Sequence, residues 1–212
     1  MNHSTVYRPH SPVAKLATSF LAALAVATTG LYAGQWVPAG FYLPLYALEL
    51  ILLLVMIFAR RKKAVGYPLM FAFMLVSGAT LHPLIGYYIS VIGAAAVLKA
   101  FALAVVSFSG VAIYAARTKE DFSFLGGFLM LGLFALLGLL IIQWFIPFSS
   151  VGQMGVAALG ILIFLGFTIY DINRLARYGF TEADIPMIVV NIYLDFINLF
   201  VYILRFFASD ED

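Results

Sequence analysis

Long apolar runs separated by short polar or turn-forming stretches dominate the pattern of this chain. A helix that crosses a membrane needs about 20 consecutive apolar residues, and the runs between charges and turn residues reach that length repeatedly. No Lys, Arg, Asp or Glu lies between Lys63 and Lys99, and since this run is too long for one span, we expect the chain to fold back around Gly86–Gly93. The pattern predicts seven spans, at about residues 13–33, 41–59, 65–85, 94–116, 122–146, 151–173 and 185–207.

The composition supports this prediction and excludes other classes of protein. Apolar residues make up 64% of the 212 residues and charged residues 10%, whereas about a quarter of the residues of a soluble domain are charged. The net charge of +2 is too small and too scattered for a nucleic-acid surface, and the absence of cysteine excludes disulfides and thiolate metal sites. We expect an all-α, seven-helix bundle that forms a single polytopic membrane domain over residues 1–212, surrounded by the lipid bilayer.

The distribution of basic residues predicts the orientation. With a cytoplasmic amino terminus, ten of the 12 Lys and Arg residues fall on the cytoplasmic side and only Lys99 and Arg205 fall outside. Basic residues accumulate on the cytoplasmic side of membrane proteins. We therefore expect the amino terminus inside and the carboxyl terminus outside, provided that the seventh and most polar run spans fully and is not re-entrant.

The seventh run carries a line of polar side chains. Their spacing of four, three, four and three residues places them within roughly an 80° arc of one helix face at about 100° per residue. Polar groups of this kind cannot face lipid, so we expect this helix at the centre with six others around it. The spacing Thr181-x-x-Asp184 predicts a capping box at its start. The line consists of Asn191, Asp195, Asn198, Tyr202 and Arg205.

Two aspartates stand out because they lie at membrane depth on consecutive helices. Asp195 lies 11 residues after Asp184, about 16 Å along a helix at 1.5 Å per residue, and Asp171 lies near the cytoplasmic end of the sixth run. A short link makes these helices antiparallel neighbours, so we expect the two carboxyl groups to meet. Two carboxylates in a dry site cannot both ionise cheaply, and such a pair holds one proton over a wide pH range. Alternatively, Asp171 pairs with Arg174 or Arg177 at the surface.

Other charged residues have structural alternatives. Glu49, eight residues into the second run, and Arg205 near the outer end of the seventh predict a structural ion pair. Arg60 ends the second run at about the level of Asp171, where it is either a membrane anchor or a counter-ion for the acid pair. The asparagines at 191 and 198 line an ion pathway with Tyr202 or serve as hydrogen bonds between helices.

Two intramembrane aspartates are also what an aspartyl protease requires. Tyr170-Asp171 is similar to the first half of the presenilin-type signature, but Ile192-Tyr193-Leu194-Asp195 lacks the Gly-x-Gly-Asp of the second half. The bulky residues disfavour close approach of a peptide, so we do not expect an enzyme. A proton-coupled transporter and a non-conducting interaction protein remain open as alternatives.

Several motifs resemble the Bax-inhibitor (TMBIM) membrane family, close to its bacterial members. The resemblance extends over all seven runs and implies a central seventh helix and a pH-sensitive calcium leak in a bacterial plasma membrane. It implies that Asp171 and Asp195 are the proton sensor and Arg60 the latch, whereas Lys99, if it faces the outer vestibule, would repel cations. The motifs are Tyr193-Leu194-Asp195-Phe196-Ile197-Asn198-Leu199-Phe200, Leu204-Arg205-Phe206-Phe207, Tyr170-Asp171, Arg60-Arg61-Lys62-Lys63-Ala64-Val65-Gly66-Tyr67 and Ser77-Gly78-Ala79-Thr80-Leu81-His82-Pro83.

These observations give one functional expectation. Hard divalent cations prefer carboxylate and carbonyl oxygen, which the two aspartates and the asparagines supply without a permanent cage. We therefore expect calcium to bind transiently at Asp195 and Asp171, with protons as the gating ligand and no tightly bound cofactor. The sequence does not identify a protein partner.

Overall fold

The computed structural model describes residues 12–60 and 65–209, with the backbone alone for Arg60. All regular structure within these residues is helical, which confirms the predicted all-α class. Short 3₁₀ turns at Ala39–Phe41 and Glu182–Asp184 precede the second and the last helix. The helices are α1 Pro12–Gly34, α2 Tyr42–Arg60, α3 Tyr67–Arg117, α4 Leu125–Phe145, α5 Ser150–Tyr178 and α6 Ile185–Ser209.

Helix α3 is unusually long because no loop interrupts it where the chain was expected to fold back. Residues 86–92, predicted as part of a turn, are helical, and that part of the prediction is wrong. The break occurs at Gly93, whose backbone adopts φ 80° and ψ 155°. Only glycine enters this region without steric cost, so the chain changes direction at one residue, between an arm at 67–92 and an arm at 94–117.

Helix α5 continues beyond its predicted end at Asn173. Arg174 and Arg177 indicated a boundary in the sequence, but long basic side chains are compatible with the last turns of a helix, where they interact favourably with the helix dipole. The helix ends at Tyr178, followed by Gly179 with φ 68° and ψ −175°, an extended backbone conformation with positive φ that is essentially restricted to glycine. Asp171 therefore lies inside α5 and not at its end.

Within the described residues, six helices are long and apolar enough to cross a membrane. The buried share of the most apolar window is 61% for the segment Glu182–Ser209 and at most 33% for each of the others. The last helix is thus the most buried element, as its polar side chains require. The chain is an integral membrane protein by composition and helix length.

The chain divides into two compact units. The first comprises the residues up to Ala79 and Phe180–Val189, and the second comprises Thr80–Gly179 and the residues from Val190 onward. In the first unit, Lys15 of α1 forms an ion pair with Glu182 of the 3₁₀ turn. This ion pair connects the amino-terminal part of α1 to the turn that precedes α6.

Small residues allow α1 and the start of α3 to approach closely in the first unit. The buried positions of α1 are Ser19, Ala23, Ala27, Gly30 and Gly34. A Cβ on Gly30 would lie 2.1 Å from the Leu75 carbonyl oxygen, and one on Gly78 would lie 1.9 Å from that of Ala27. Both glycines meet backbone and not flexible side chains. Close backbone packing of this kind is how membrane helices associate without a hydrophobic driving force.

The second unit has a core built around the carboxyl-terminal half of α6. Leu199, Phe200 and Leu204 of α6 belong to one buried cluster with Ala100 of the second arm of α3 and Phe164 of α5. Phe101 contacts Phe196 and Phe200 edge-on, with ring centroids 5.9 and 5.5 Å apart. This packing holds the polar face of α6 at a fixed rotation.

We predict that Gly78→Ala destabilises the protein by about 1–3 kcal/mol, because the added methyl group meets a backbone oxygen and forces α1 and α3 apart. The matched control is Gly86→Ala in the same helix, where a Cβ has nothing within 4 Å and the higher helix propensity of alanine makes the change neutral or slightly stabilising. Thermal unfolding in one detergent measures both. Equal midpoints for the two variants would contradict the close approach.

Candidate functional site

The polar line predicted on the last helix lies within the bundle. Asp195 and Tyr202 are each 7% exposed, and Asn191, Asn198 and Arg205 are half-buried. Asn198 donates a hydrogen bond to the Leu194 carbonyl oxygen at 2.8 Å, which leaves its amide oxygen for another partner. The line therefore offers oxygen atoms to the interior of the protein at several depths along α6.

The structure brings the two aspartates of α5 and α6 together. Asp195 and Asp171 lie close enough for their carboxyl groups to interact electrostatically. Asp195 is buried, and no described residue of the second unit donates a hydrogen bond to its carboxyl group. Asp171 is half-buried in the interior of α5. A carboxylate in such surroundings loses hydration without gaining donors, which disfavours two simultaneous negative charges.

The local sequence explains how α6 presents these groups. Asp184 accepts a hydrogen bond from the Thr181 backbone N–H at 3.0 Å and another from the Thr181 hydroxyl. This arrangement is the predicted capping box. It fixes the start of the last helix, and Asp195 follows three turns later on its buried side.

The remaining predicted site residues lie on α2, α3 and α6. Arg205 donates a hydrogen bond to Gln143 of α4. Glu49 is half-buried on α2 in the other unit, and its pairing with Arg205 stays a prediction. The Arg60 side chain lies outside the described part of the structure, so its role as latch or anchor also stays a prediction. Lys99 is exposed on the second arm of α3.

Asn173 is a structural residue that the sequence analysis missed. It is 1% exposed, and its amide nitrogen donates to the carbonyl oxygens of Ala115 and Glu120 at 3.2 and 3.1 Å. Its amide oxygen accepts from the Phe122 N–H at 3.2 Å. One side chain thus holds the loop between α3 and α4 against α5, two residues from Asp171. The available signal was a second polar residue inside an apolar run.

A second group of contacts holds the same loop from the last turn of α5. Arg177 donates to the Lys119 carbonyl oxygen at 2.7 Å, and Tyr178 donates to the Asp121 carboxylate at 3.1 Å. Hydrogen bonds from Ser123, together with Tyr178 and Arg177, hold the pKa of Asp121 below its usual value. Asp121 therefore remains a charged acceptor in this loop.

The comparison with known protein families decides the family. The family described as "Inhibitor of apoptosis-promoting Bax1" matches residues 13–212. The chain belongs to the Bax-inhibitor family. The resemblance seen in the motifs is therefore confirmed, and the motif at 193–200 lies on the most buried helix of this Bax-inhibitor protein.

Relatives of this Bax-inhibitor protein come from bacteria and eukaryotes. An uncharacterised protein of Campylobacter jejuni is 33% identical over 201 residues, which cover 90% of this chain and 84% of that protein. Bax inhibitor 1 of Schizosaccharomyces pombe is 33% identical over 72% of this chain and 57% of its own length. Protein lifeguard 4 of Mus musculus is 31% identical, over 66% and 57% respectively.

We predict that Asn173→Ala lowers the free energy of unfolding by about 1–3 kcal/mol, because it leaves buried backbone groups of the loop without partners. Arg174→Ala is the matched control, since Arg174 is exposed and its side chain contacts Tyr170 at 3.3 Å; we expect a change below about 0.5 kcal/mol there. Thermal unfolding combined with hydrogen exchange of the loop checks this. A loop that exchanges equally slowly without the amide would disprove its anchoring role.

Proposed function

We propose that this Bax-inhibitor protein is a passive, pH-sensitive cation leak in a bacterial plasma membrane, with calcium as the ion that it conducts. The proposal is supported chiefly by the interacting pair of Asp171 and Asp195 on α5 and α6. Burying a carboxyl group in a membrane costs free energy, and helix packing alone does not require it. Intramembrane carboxyl groups therefore commonly indicate a pathway for ions or protons.

The acid pair serves as the pH sensor. The two carboxyl groups would share one proton over a wide pH range, and stronger acid would add the second. Each step changes the charge at a fixed place between two packed helices. A local charge change of this size biases a two-state packing arrangement, and we propose that this arrangement opens and closes the ion path.

The ion path follows the polar face of the last helix. Asp195, Asn191, Asn198 and Tyr202 would offer oxygen ligands in succession, and calcium accepts carboxylate and carbonyl oxygens in flexible geometry. Among the residues that the structure describes, no group of three or more His, Asp or Glu could hold a metal ion. The proposal accordingly treats calcium as a passing ion that binds Asp195 and Asp171 briefly.

The topology completes the proposal. Each arm of α3, at 67–92 and 94–117, is longer than the roughly 20 residues that one span requires. Two crossings by α3 would give seven spans, with six helices around the last. With the basic residues inside, the amino terminus would be cytoplasmic and the carboxyl terminus outside.

The latch would be Arg60 at the end of α2. A guanidinium pairs with carboxylate through two parallel hydrogen bonds, so it would attach to the acid pair when that pair is charged and leave it when a second proton binds. This exchange would link the protonation step to a movement of α2.

We predict that Asp195→Asn abolishes the pH dependence of calcium flux in proteoliposomes, because a single remaining carboxyl group no longer shares a proton. Asp171→Asn should have the same effect. The matched control is Glu120→Gln, the same loss of one acidic charge at an exposed loop position, and it should keep the wild-type profile.

The possible results of this assay separate the candidate functions. An unchanged pH profile in Asp195→Asn refutes the sensor, and no flux through the wild type refutes the leak. Saturable flux with counterflow would instead indicate a transporter.

We predict that Arg60→Ala raises calcium flux about fivefold or more at the pH where the wild type is closed, since losing about 1 kcal/mol from the closed state shifts the equilibrium by that factor. Arg61→Ala removes the same charge from the neighbouring position and serves as control. If both variants behave alike, Arg60 is a membrane anchor and not a latch.

A further inference from the structure

A cavity of about 540 Å³ lies in the second unit, beside the carboxyl-terminal half of α6. Asn198 lines its inner part and Ser209 the end of the helix, about 16 Å apart along α6 at 1.5 Å per residue. Leu84, Val91 and Leu140 give it an apolar wall. The cavity therefore combines a polar face on one helix with an apolar face on the others, as ligand sites commonly do.

Arg205 gives this cavity a positive charge. It lines the cavity and is half-buried. Its contact with Gln143 uses one N–H of the guanidinium, which carries five. No described carboxylate of the second unit forms an ion pair with it, since the pair found there joins Arg177 and Asp121. Since the contact with Gln143 uses one of five N–H groups, the guanidinium retains donors for a ligand.

Two tyrosine side chains lie near the guanidinium of Arg205 in this cavity. Tyr88 and Tyr202 line the cavity, are each 7% exposed, and interact electrostatically with Arg205. No described residue of the second unit hydrogen-bonds either hydroxyl. No buried side-chain oxygen or nitrogen among the described residues is sealed without a partner, so these hydroxyls reach open space, and the cavity is the space that they line.

The surrounding residues fix the tyrosine rings in place. Tyr202 stacks on Phe164 with ring centroids 5.7 Å apart, and a Cβ on Gly160 would lie 2.3 Å from the Tyr202 ring. Tyr88 meets Tyr87 edge-on at 5.3 Å. The hydroxyls are thus held by packing and not by hydrogen bonds, which keeps them available as preorganised donors.

We propose that this cavity is a binding site for an oxyanion group, a carboxylate or a phosphate, held by the Arg205 guanidinium and the hydroxyls of Tyr88 and Tyr202. Charge-assisted hydrogen bonds from a guanidinium match planar and tetrahedral oxyanions. The apolar wall accommodates a short hydrocarbon portion of the same molecule. The oxyanion arrives either on a small soluble acid or on the headgroup of an anionic lipid. The cavity shares Asn198 and Tyr202 with the proposed ion path, but binding of the oxyanion does not require the leak.

The experiment measures binding to the purified full-length protein in neutral detergent. Line broadening in the ¹⁹F spectrum of trifluoroacetate reports a soluble carboxylate, with unlabelled acetate as competitor. Native mass spectrometry after incorporation in phosphatidylcholine and phosphatidylglycerol reports retention of the anionic lipid. We expect saturable binding in one arm: trifluoroacetate binding indicates a soluble acid, and selective phosphatidylglycerol retention indicates a lipid headgroup.

Variants test which residues hold the anion. Arg205→Gln should weaken binding about tenfold or more, and the double variant Tyr88→Phe with Tyr202→Phe, which keeps both rings, about fivefold or more. The double variant keeps the test decisive if Arg205→Gln fails to fold. Lys99→Gln removes one positive charge at an exposed position outside the cavity and should leave binding unchanged.

Three results would overturn the proposal. The first is no binding in either arm. The second is binding that the double tyrosine variant leaves at full strength, and the third is equal loss in Lys99→Gln, which indicates general charge attraction.

Discussion

The structure depends on burying polar and ionisable side chains of one helix among apolar neighbours. An ionised aspartate near the centre of a bilayer costs about 3 kcal/mol or more, and α6 carries Asp195 with amide, hydroxyl and guanidinium groups along the same face. These groups need partners or enclosed space, and packing of the other helices supplies both. The greater burial of α6 relative to the other helices follows from this constraint.

Helix α5 connects the acid pair to the protein surface. It supplies Asp171 to the pair and, within two turns, the side chains of Asn173 and Arg177 that hold the loop between α3 and α4. A rotation of α5 that moved Asp171 would therefore strain several hydrogen bonds at once. These loop contacts would limit the helix motions available to the proposed pH switch, and would favour a change between discrete arrangements.

The charge of Arg205 in the cavity would affect the entry of cations into the proposed leak. A passing divalent cation that entered through the cavity would meet Arg205 before it reached the carboxyl group of Asp195, which lies about three turns away along α6. An unneutralised guanidinium repels such an ion. An oxyanion bound at Arg205 would remove this repulsion, so anion binding at the outer end would favour cation entry.

The sequence alone determined the class, the positions of most helices and the polar face of α6, because apolar runs of span length and a 3.6-residue period are local properties of the chain. The predicted end of α5 was wrong because it was based on the positions of the charged residues. The uncharged stretch before Lys99 gave no sign that the helix continues through Ile92 and breaks at Gly93. Only the tertiary structure decided the partners: Asn173 with the loop, Gln143 with Arg205, and two tyrosines beside a cavity. Such contacts join residues distant in the chain, and their formation depends on packing that no local pattern encodes.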